Sequence, residues 1–325
     1  MIVESGPCLS PLLEFLKHTD GPWADCSLAE SNFDLYRTGY LSSMFRCRTR
    51  DGTYMVNLKH HDPDGSRATR EFQVLTALDG SVAPRAYALD NSKTWFSDPV
   101  LVTDFVPPQP IHSWDHANLD RLASLMANIH TDQRLLSLPV DEDGPSTYSI
   151  QRELADEVRD LPTFRPSPLK DELTSSLDLL SSCVGEWEKL FQHDPPAYVH
   201  SDLPHHHLFE NRGEWRTIHW EWSRRSHPTR ELARAFWDLE MEPKLETYML
   251  ERYAARSHFS ISPAALEVQR ILQYFYNAIH VAFWLDRVAP ATHPDWETAT
   301  RMARVVSLWT RMETSKCNWK TAAQA

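Results

Sequence analysis

The sequence is poor in glycine, with nine glycines against twenty-two prolines in 325 residues. A loop that holds phosphate with its backbone is usually rich in glycine, because the backbone must come very close to the ligand. The scarcity of glycine therefore argues against an extended glycine-rich phosphate loop.

Paired cysteines are also lacking. The five cysteines are scattered along the chain and form no C-x-x-C pair: Cys8, Cys26, Cys47, Cys183 and Cys317. This spacing argues against a disulfide framework and against a cysteine zinc site.

The first twenty residues contain Glu4 and Glu14 and no basic region before an apolar stretch, so no secretory signal peptide is expected there. A reducing, cytoplasmic location is the expectation.

The chain has no run of Lys and Arg, and its net charge is −12. Nucleic acid would be repelled by this charge, so a nucleic-acid partner is not expected. The most apolar stretch, Ile271–Leu285, is interrupted by Gln273, Asn277 and His280 and has apolar residues at helical spacing. That pattern predicts a buried helix and no membrane span.

The first third of the chain alternates between strand and helix patterns. Residues 44–49 and 53–60 predict two strands joined by the turn Arg50-Asp51-Gly52, and residues 66–78 predict a helix. The apolar run Val100–Val106 ends at Pro107-Pro108, which indicates a strand leading into a hinge. Helical patterns then follow over 119–130, 151–160, 169–191, 229–250 and 264–285, with a hairpin pattern between residues 197 and 220. The prediction is an α+β protein with a small β-rich N-lobe (1–106) and a larger helical C-lobe (107–325) containing one embedded hairpin.

Three short segments carry the candidate chemistry. They read His200-Ser201-Asp202 with His207 five residues on, Ile218-His219-Trp220-Glu221, and Ser226-His227-Pro228-Thr229-Arg230-Glu231-Leu232-Ala233. In order and spacing they resemble the H-G-D-x-x-x-x-N, I-D-W-E and G-x-P-x-x-D-L-A motifs of the aminoglycoside phosphotransferase and choline kinase family. The first lobe is similar too, in Val56-Asn57-Leu58-Lys59, in Glu71 and in the segment 101–106. The resemblance covers about residues 30–290 and implies a two-lobed, protein-kinase-like fold.

The resemblance also implies residue roles. Asp202, with His200 beside it, would take the proton of a substrate hydroxyl during phosphoryl transfer from ATP. Lys59 would hold the nucleotide phosphates and Glu71 would fix Lys59. A divalent metal would be held at His207 and His219, where the family has Asn and Asp, with Glu221 as a further ligand. The pocket for a small-molecule substrate would be lined by Trp222, Glu240, Trp284 and Asp286.

Several positions depart from the family pattern. Imidazole suits zinc, iron, copper or nickel better than magnesium, so His207 and His219 change the metal chemistry. Ser201 replaces a glycine, Glu231 replaces an aspartate, and Gly39 is the only glycine between Arg37 and Met44. Three hypotheses remain open: a phosphotransferase with an adapted metal site, a kinase-fold enzyme repurposed for acid–base chemistry in specialised metabolism, and a pseudokinase that only binds.

Simpler interpretations apply to each residue alone. Lys59 would then be a surface lysine on an edge strand, Glu71 a helix-face charge and Asp202 a turn residue. The run His205-His206-His207 would be an incidental loop cluster. His200-x-Asp202 with a later histidine also fits the iron ligands of 2-oxoglutarate-dependent oxygenases, but those enzymes need a jelly roll, and helical patterns flank this segment.

Overall fold

The computed structural model describes residues 9–39, 41–107, 109, 111, 113–139, 148–191, 195–203, 207–211 and 213–288, without the side chains of Asn211, Trp284, Arg287 and Val288. In chain order the elements are α1 (Leu9–Lys17), β1 (Phe33–Thr38), β2 (Ser42–Arg48), β3 (Thr53–Lys59), α2 (Ser66–Leu78), β4 (Ala86–Asp90), β5 (Val100–Asp104), α3 (His116–Thr131), α4 (Gln133–Leu136), α5 (Ile150–Glu157), α6 (Pro168–Trp187), β6 (Ala197–Val199), β7 (Leu208–Asn211), β8 (Glu214–Thr217), β9 (Arg224–Ser226), α7 (Pro228–Asp238), α8 (Pro243–Ala254) and α9 (Pro263–Val288).

The chain divides into two compact units that do not follow chain order. The first contains residues 1–115, 132–139 and 200–224, and the second contains the remaining segments. The candidate loop at Asp202 thus belongs to the same unit as the N-terminal sheet. The predicted lobe boundary at residue 106 stays a prediction.

The first unit is built on a five-stranded antiparallel sheet in the order β1-β2-β3-β5-β4. The predicted hairpin between the second and third strands is confirmed, because the Thr49 hydroxyl accepts hydrogen bonds from the backbone N–H groups of Asp51 (3.2 Å) and Gly52 (3.1 Å). One face of the sheet packs against α1 and Trp23, whose ring N–H donates to the Leu16 carbonyl at 2.9 Å.

β3 is an inner strand of this sheet, since it pairs with both β2 and β5. Lys59 ends this strand and is only 4% exposed. The interpretation of Lys59 as a surface lysine on an edge strand is therefore wrong.

Helix α2 has the predicted bounds. The Asp62 carboxylate caps its first turn by accepting from the backbone N–H of Ala68 at 2.9 Å. The hairpin β7–β8 belongs to the same unit, and the Thr217 N–H donates to the Val82 carbonyl at 2.8 Å. A short 3₁₀ turn, Trp220–Trp222, follows the hairpin and packs against α2. Helix α2 and this turn bring Glu71 and Glu221 to the end of β3.

The second unit is mostly helical, with α5, α6 and α9 packed around one apolar core. One element differs from the sequence-based expectation, because the helix predicted over residues 229–250 is two helices, α7 and α8. Helix α7 ends where Glu240 adopts a left-handed backbone (φ 46°), and α8 begins at Pro243. No helix among the described residues is both long enough and apolar enough to cross a membrane.

Candidate active site

The loop that carries Asp202 is held in place by hydrogen bonds of His200. This histidine is fully buried, and its Nε2 lies 2.9 Å from the Ile218 carbonyl oxygen. A carbonyl only accepts, so Nε2 donates, and Nδ1 then accepts the N–H of Asp202 at 3.3 Å. Both ring nitrogens of His200 are thus engaged with the backbone. The structure therefore gives His200 a positioning contact with Asp202, and its predicted catalytic role stays a prediction.

Two residues of this loop and its neighbour have left-handed backbones. Ser201 and His219 both have φ of 67°, although neither is glycine. Such conformations cost about 1–2 kcal/mol for a residue with a side chain. Strained positions of this kind concentrate at functional sites, where surrounding contacts hold them. Ser201 immediately precedes Asp202, and His219 is itself one of the candidate residues.

Asp202 has a carboxylate that is 25% exposed, and His207 holds it. The Nδ1 of His207 lies 3.2 Å from the Asp202 carboxylate and 2.9 Å from the Asp202 carbonyl oxygen. Both partners are acceptors, so Nδ1 carries a proton. His207 therefore donates to Asp202 through the nitrogen that faces it.

His219 lies against His207, with ring centroids 4.4 Å apart. The Nδ1 of His219 is 3.3 Å from a carboxylate oxygen of Glu221. Burial disfavours the charged imidazole, but the hydrogen bond and charge of Glu221 outweigh it, so the pKa of His219 is raised.

Lys59 lies between two buried carboxylates. Its ammonium contacts Glu71 and is 3.2 Å from the second oxygen of Glu221. Burial lowers the pKa of Lys59, but the charges of Glu221 and Glu71 reverse this effect and raise it above the ordinary value. Burial likewise disfavours charged Glu221, yet Lys59 and His219 hold the pKa of Glu221 well below its usual range. Glu71 also accepts the N–H of Trp220 at 3.3 Å.

The structure therefore brings six of the sequence-predicted site residues into one chain of contacts. Basic and acidic groups occur in equal number along it: Asp202, His207, His219, Glu221, Lys59 and Glu71. The contact between Glu221 and Lys59 was not anticipated from the sequence. The only signal for it was the position of Glu221 two residues after the altered metal position.

These residues do not fit a magnesium ion. Magnesium prefers an octahedron of oxygen ligands, whereas both predicted ligand positions are imidazoles whose Nδ1 atoms face carboxylates. Glu221 is occupied by His219 and Lys59. Within the described part of the chain, no group of three His, Cys, Asp or Glu side chains is arranged to hold a metal ion. His205 and His206 lie outside the described residues.

The four predicted substrate-pocket residues are spread over several elements. Trp222 lies in the 3₁₀ turn under the guanidinium of Arg67, 5.3 Å from the ring centroid. In the second unit, Glu240 is exposed, while Asp286 accepts from the backbone N–H and Nε of Arg165 at 2.9 and 3.0 Å. The side chain of Trp284 is outside the described atoms. Their role in substrate binding stays a prediction.

Glu231, from the third sequence motif, lies in the interior of the second unit. Glu231 is fully buried and accepts from Nε2 of His130 at 2.8 Å. Nδ1 of His130 lies 2.8 Å from the Tyr253 hydroxyl, which stays protonated because burial raises the pKa of Tyr253. Glu231 thus makes an internal polar contact of the helical unit.

Comparison with known proteins now identifies the class of protein that these features define. Residues 35–268 match the APH family, the phosphotransferase enzyme family, and the chain belongs to it. No curated protein is similar in sequence at a significant level.

Similar solved structures have the same fold. Amicoumacin kinase hAmiN, in complex with AMP-PNP, Ca²⁺ and Ami, has a TM-score of 0.68 at 11% identity over 92% of both chains. Choline kinase from Cryptosporidium parvum Iowa II has a TM-score of 0.64 at 13% identity, covering 96% of this chain and 97% of its own. Macrolide 2′-phosphotransferase MphH from Brachybacterium faecium has a TM-score of 0.60 at 15% identity, covering 91% and 98%. The predicted α+β, two-lobed, protein-kinase-like fold is confirmed.

Proposed function

We propose that this protein is an enzyme that modifies a small molecule by acid–base chemistry, with Asp202 as the general base, and that it does so without magnesium–ATP. The observation that carries the proposal is the engagement of both family metal positions, His207 and His219, with carboxylates. Asp202 keeps a partly exposed carboxylate, as a base that meets a substrate must.

The charge balance of the site supports this proposal. Phosphoryl transfer depends on cations that neutralise the triphosphate. Here the ammonium of Lys59 already faces the carboxylates of Glu71 and Glu221. A phosphate placed against Lys59 would lie beside the Glu221 carboxylate, and like charges at such short range repel. The three basic and three acidic side chains of the site therefore leave no surplus positive charge for a nucleotide.

In the proposed mechanism Asp202 accepts a proton from an acidic group of the bound molecule. The N–H of His207 steadies one carboxylate oxygen, and the backbone of Asp202 is fixed by His200. The Nδ1–H of His207, 3.2 Å from the Asp202 carboxylate, then lies within reach to return a proton to the bound molecule. The acid–base pair is thus Asp202 and His207.

Phosphoryl transfer to a small-molecule hydroxyl is a second candidate, and one observation favours it. The Lys59–Glu71 contact is the pair with which the family holds nucleotide phosphates. Under this candidate Lys59 would release Glu221 when the nucleotide binds.

A calorimetric titration with ATP separates the two candidates. It is run without metal and with magnesium, manganese or zinc, on the native protein and on Lys59→Met. We expect no binding in any condition. Metal-dependent binding that Lys59→Met abolishes would overturn the proposal in favour of phosphotransfer.

The chemistry itself is tested by incubating the native protein and Asp202→Asn with a mixture of small metabolites and comparing the products by chromatography and mass spectrometry. An isomer or dehydration product formed only by the native protein is the expected result. A product heavier by a phosphoryl group would establish phosphotransfer. Identical mixtures from both proteins would remove Asp202 from the mechanism and favour a binding protein.

A further inference from the structure

A second cluster of reactive groups lies in the first unit, at the end of its sheet, on residues that the proposed function does not use. The Oγ of Ser43 is 2.8 Å from Nε2 of His60, and Nδ1 of His60 is 2.7 Å from a carboxylate oxygen of Asp98. Serine, histidine and aspartate in this order of contacts are the arrangement of nucleophile, base and orienting acid, which is recognised by geometry and not by sequence position.

The proton positions follow from the chemistry of the partners. The carboxylate of Asp98 only accepts, so Nδ1 of His60 carries the proton. Nε2 of the neutral imidazole is then an acceptor, and the Ser43 hydroxyl donates to it. The Thr38 hydroxyl, 3.0 Å from Ser43 Oγ, donates in turn to Ser43. Neutral His60 is therefore in the tautomer that removes a proton from Ser43.

Backbone hydrogen bonds hold the three groups in register. Ser43 lies on β2, and the N–H of His60 donates to the Leu41 carbonyl at 2.8 Å, which fastens the end of β3 to that strand. The N–H of Lys59 donates to the Pro99 carbonyl at 2.9 Å, and this fixes the segment that carries Asp98. Sites supported by strands and backbone contacts keep their geometry better than sites on free loops.

The cluster is also accessible. The His60 and Asp98 side chains are 27% and 32% exposed, and Ser43 is half-buried. A structural polar cluster in a core would be closed to reagents, whereas this one opens to solvent at the end of the sheet.

We propose that Ser43 is a nucleophile activated by His60 and Asp98, and that it is acylated by small activated carboxylic esters. Ser43 Oγ bonds to the ester carbonyl carbon while its proton passes to Nε2 of His60. The alcohol then leaves with that proton, and acyl-Ser43 remains. Water next attacks the acyl carbon, with His60 as base, and releases the carboxylic acid and free Ser43. The accessibility of the cluster suits small esters, and no bound cofactor is required.

The first test uses a fluorophosphonate probe, whose phosphorus bonds to Ser43 Oγ as fluoride leaves. Cleavage after Arg37 and Arg46 gives a peptide containing both Ser42 and Ser43, and fragment masses distinguish the two. We expect the label on Ser43 alone. His60→Gln should slow labelling by about 100-fold, within the range of general-base effects. Label on Ser42, or labelling that is unchanged in His60→Gln, would overturn the proposal.

The second test separates positioning by Asp98 from a purely structural contact. Asp98→Asn should slow labelling strongly because the amide favours the wrong tautomer, whereas Asp98→Glu should restore part of the rate. With p-nitrophenyl acetate, the native protein and Ser42→Ala should both give a burst of nitrophenolate that Ser43→Ala lacks. An equal burst from Ser43→Ala would refute acylation of Ser43, and equal rates in both Asp98 variants would refute its orienting role.

Discussion

At the residue scale, Lys59 places one buried ammonium between two buried carboxylates. Removing one member of a buried ion pair leaves an uncompensated charge, and the cost depends on which member is lost. Loss of Lys59 leaves Glu71 and Glu221 facing each other, whereas loss of Glu221 leaves a matched Lys59–Glu71 pair. The arrangement therefore predicts unequal effects on stability.

We expect Lys59→Met to lower the free energy of unfolding by about 3–5 kcal/mol. Glu221→Gln should cost less, about 1–2 kcal/mol, since its amide still accepts a hydrogen bond. Urea denaturation at neutral pH measures both. Lys17→Met, which breaks the exposed pair with Glu14, is the matched control and should change little. Equal losses in Lys59→Met and Glu221→Gln would contradict the shared contact.

His219 provides a pH-dependent prediction. Its pKa is raised above the ordinary value of 6.5, so the charged ring binds its proton more tightly in the folded state. The resulting stabilisation is complete below the ordinary value and is lost as the pH rises through the raised pKa. His219→Gln should therefore destabilise the protein more at a pH of roughly 5.5 than at roughly 8.5.

Ring NMR signals of His219 measure the same effect directly. Assigned by their absence in His219→Gln, they should titrate at lower pH in Glu221→Gln, because the carboxylate charge that raises the pKa of His219 is gone. A titration curve that does not move would show that Glu221 does not stabilise the charged ring.

Motif order singled out all six of these residues and the pairing of Lys59 with Glu71, but not the other contacts between them. Asp202, Lys59 and Glu71 were found from motif order alone. The orientation of the Glu221 side chain toward Lys59 depends on the left-handed backbone at His219 and on the packing of the 3₁₀ turn against α2. The packing has no local sequence signal, and the backbone at His219 has only a weak one, since histidine is enriched at positive φ but rarely adopts it.

At the scale of elements, local patterns predicted the strands and most helices well. The hairpin β2–β3 and helix α2 were recognisable because alternation and a turn sequence lie within a few residues of each other. The long helix predicted over residues 229–250 was wrong for an equally local reason. Helix α7 ends in a Schellman motif, in which the N–H of Met241 donates to the Phe236 carbonyl and that of Glu240 to Trp237, both at 3.1 Å.

That motif places Glu240 at the left-handed position where glycine is usual, with φ of 46°. A residue with a side chain costs about 1–2 kcal/mol there. Glycine relieves this strain in the folded state, but part of the stabilisation is lost because glycine makes the unfolded chain more flexible. We expect Glu240→Gly to raise the free energy of unfolding by up to about 1 kcal/mol. The control is Glu242→Gly, where φ is −67° and no backbone strain is relieved, so no gain from relieved strain is expected there. A loss of stability in Glu240→Gly would refute strain at this position.

At the scale of the whole molecule, long-range contacts decide what the sequence leaves open. Residues 200–224 join the same compact unit as the N-terminal sheet, although about 100 residues of chain separate them from it. They are joined to it by the hydrogen bond between Thr217 and Val82, by that between Trp220 and Glu71 of α2, and by the ion pair of Glu221 with Lys59 of β3. Such pairings join residues that are far apart in the sequence, so local sequence patterns do not predict them. The order of the motifs located the site, but the pairing of its charges could be seen only in the structure.

Family membership and a mismatched metal site make one prediction for the molecule as a whole. If the scaffold is a phosphotransferase whose metal ligands alone have changed, the double variant His207→Asn with His219→Asp restores oxygen ligands of the kind that magnesium prefers. We expect this variant to gain a magnesium-dependent rise in melting temperature with ATP, because a ligand that binds the folded state stabilises it by mass action.

The native protein should show no such rise, and adding Lys59→Met to the double variant should abolish it. The single variants serve as further controls, since one restored ligand should give little magnesium binding. A double variant that folds normally yet ignores magnesium and ATP would mean that the change extends beyond these two positions. The pairing of Lys59 with Glu221 would then be the next contact to release, through Glu221→Gln in the same background, because it holds the ammonium that a phosphate would need.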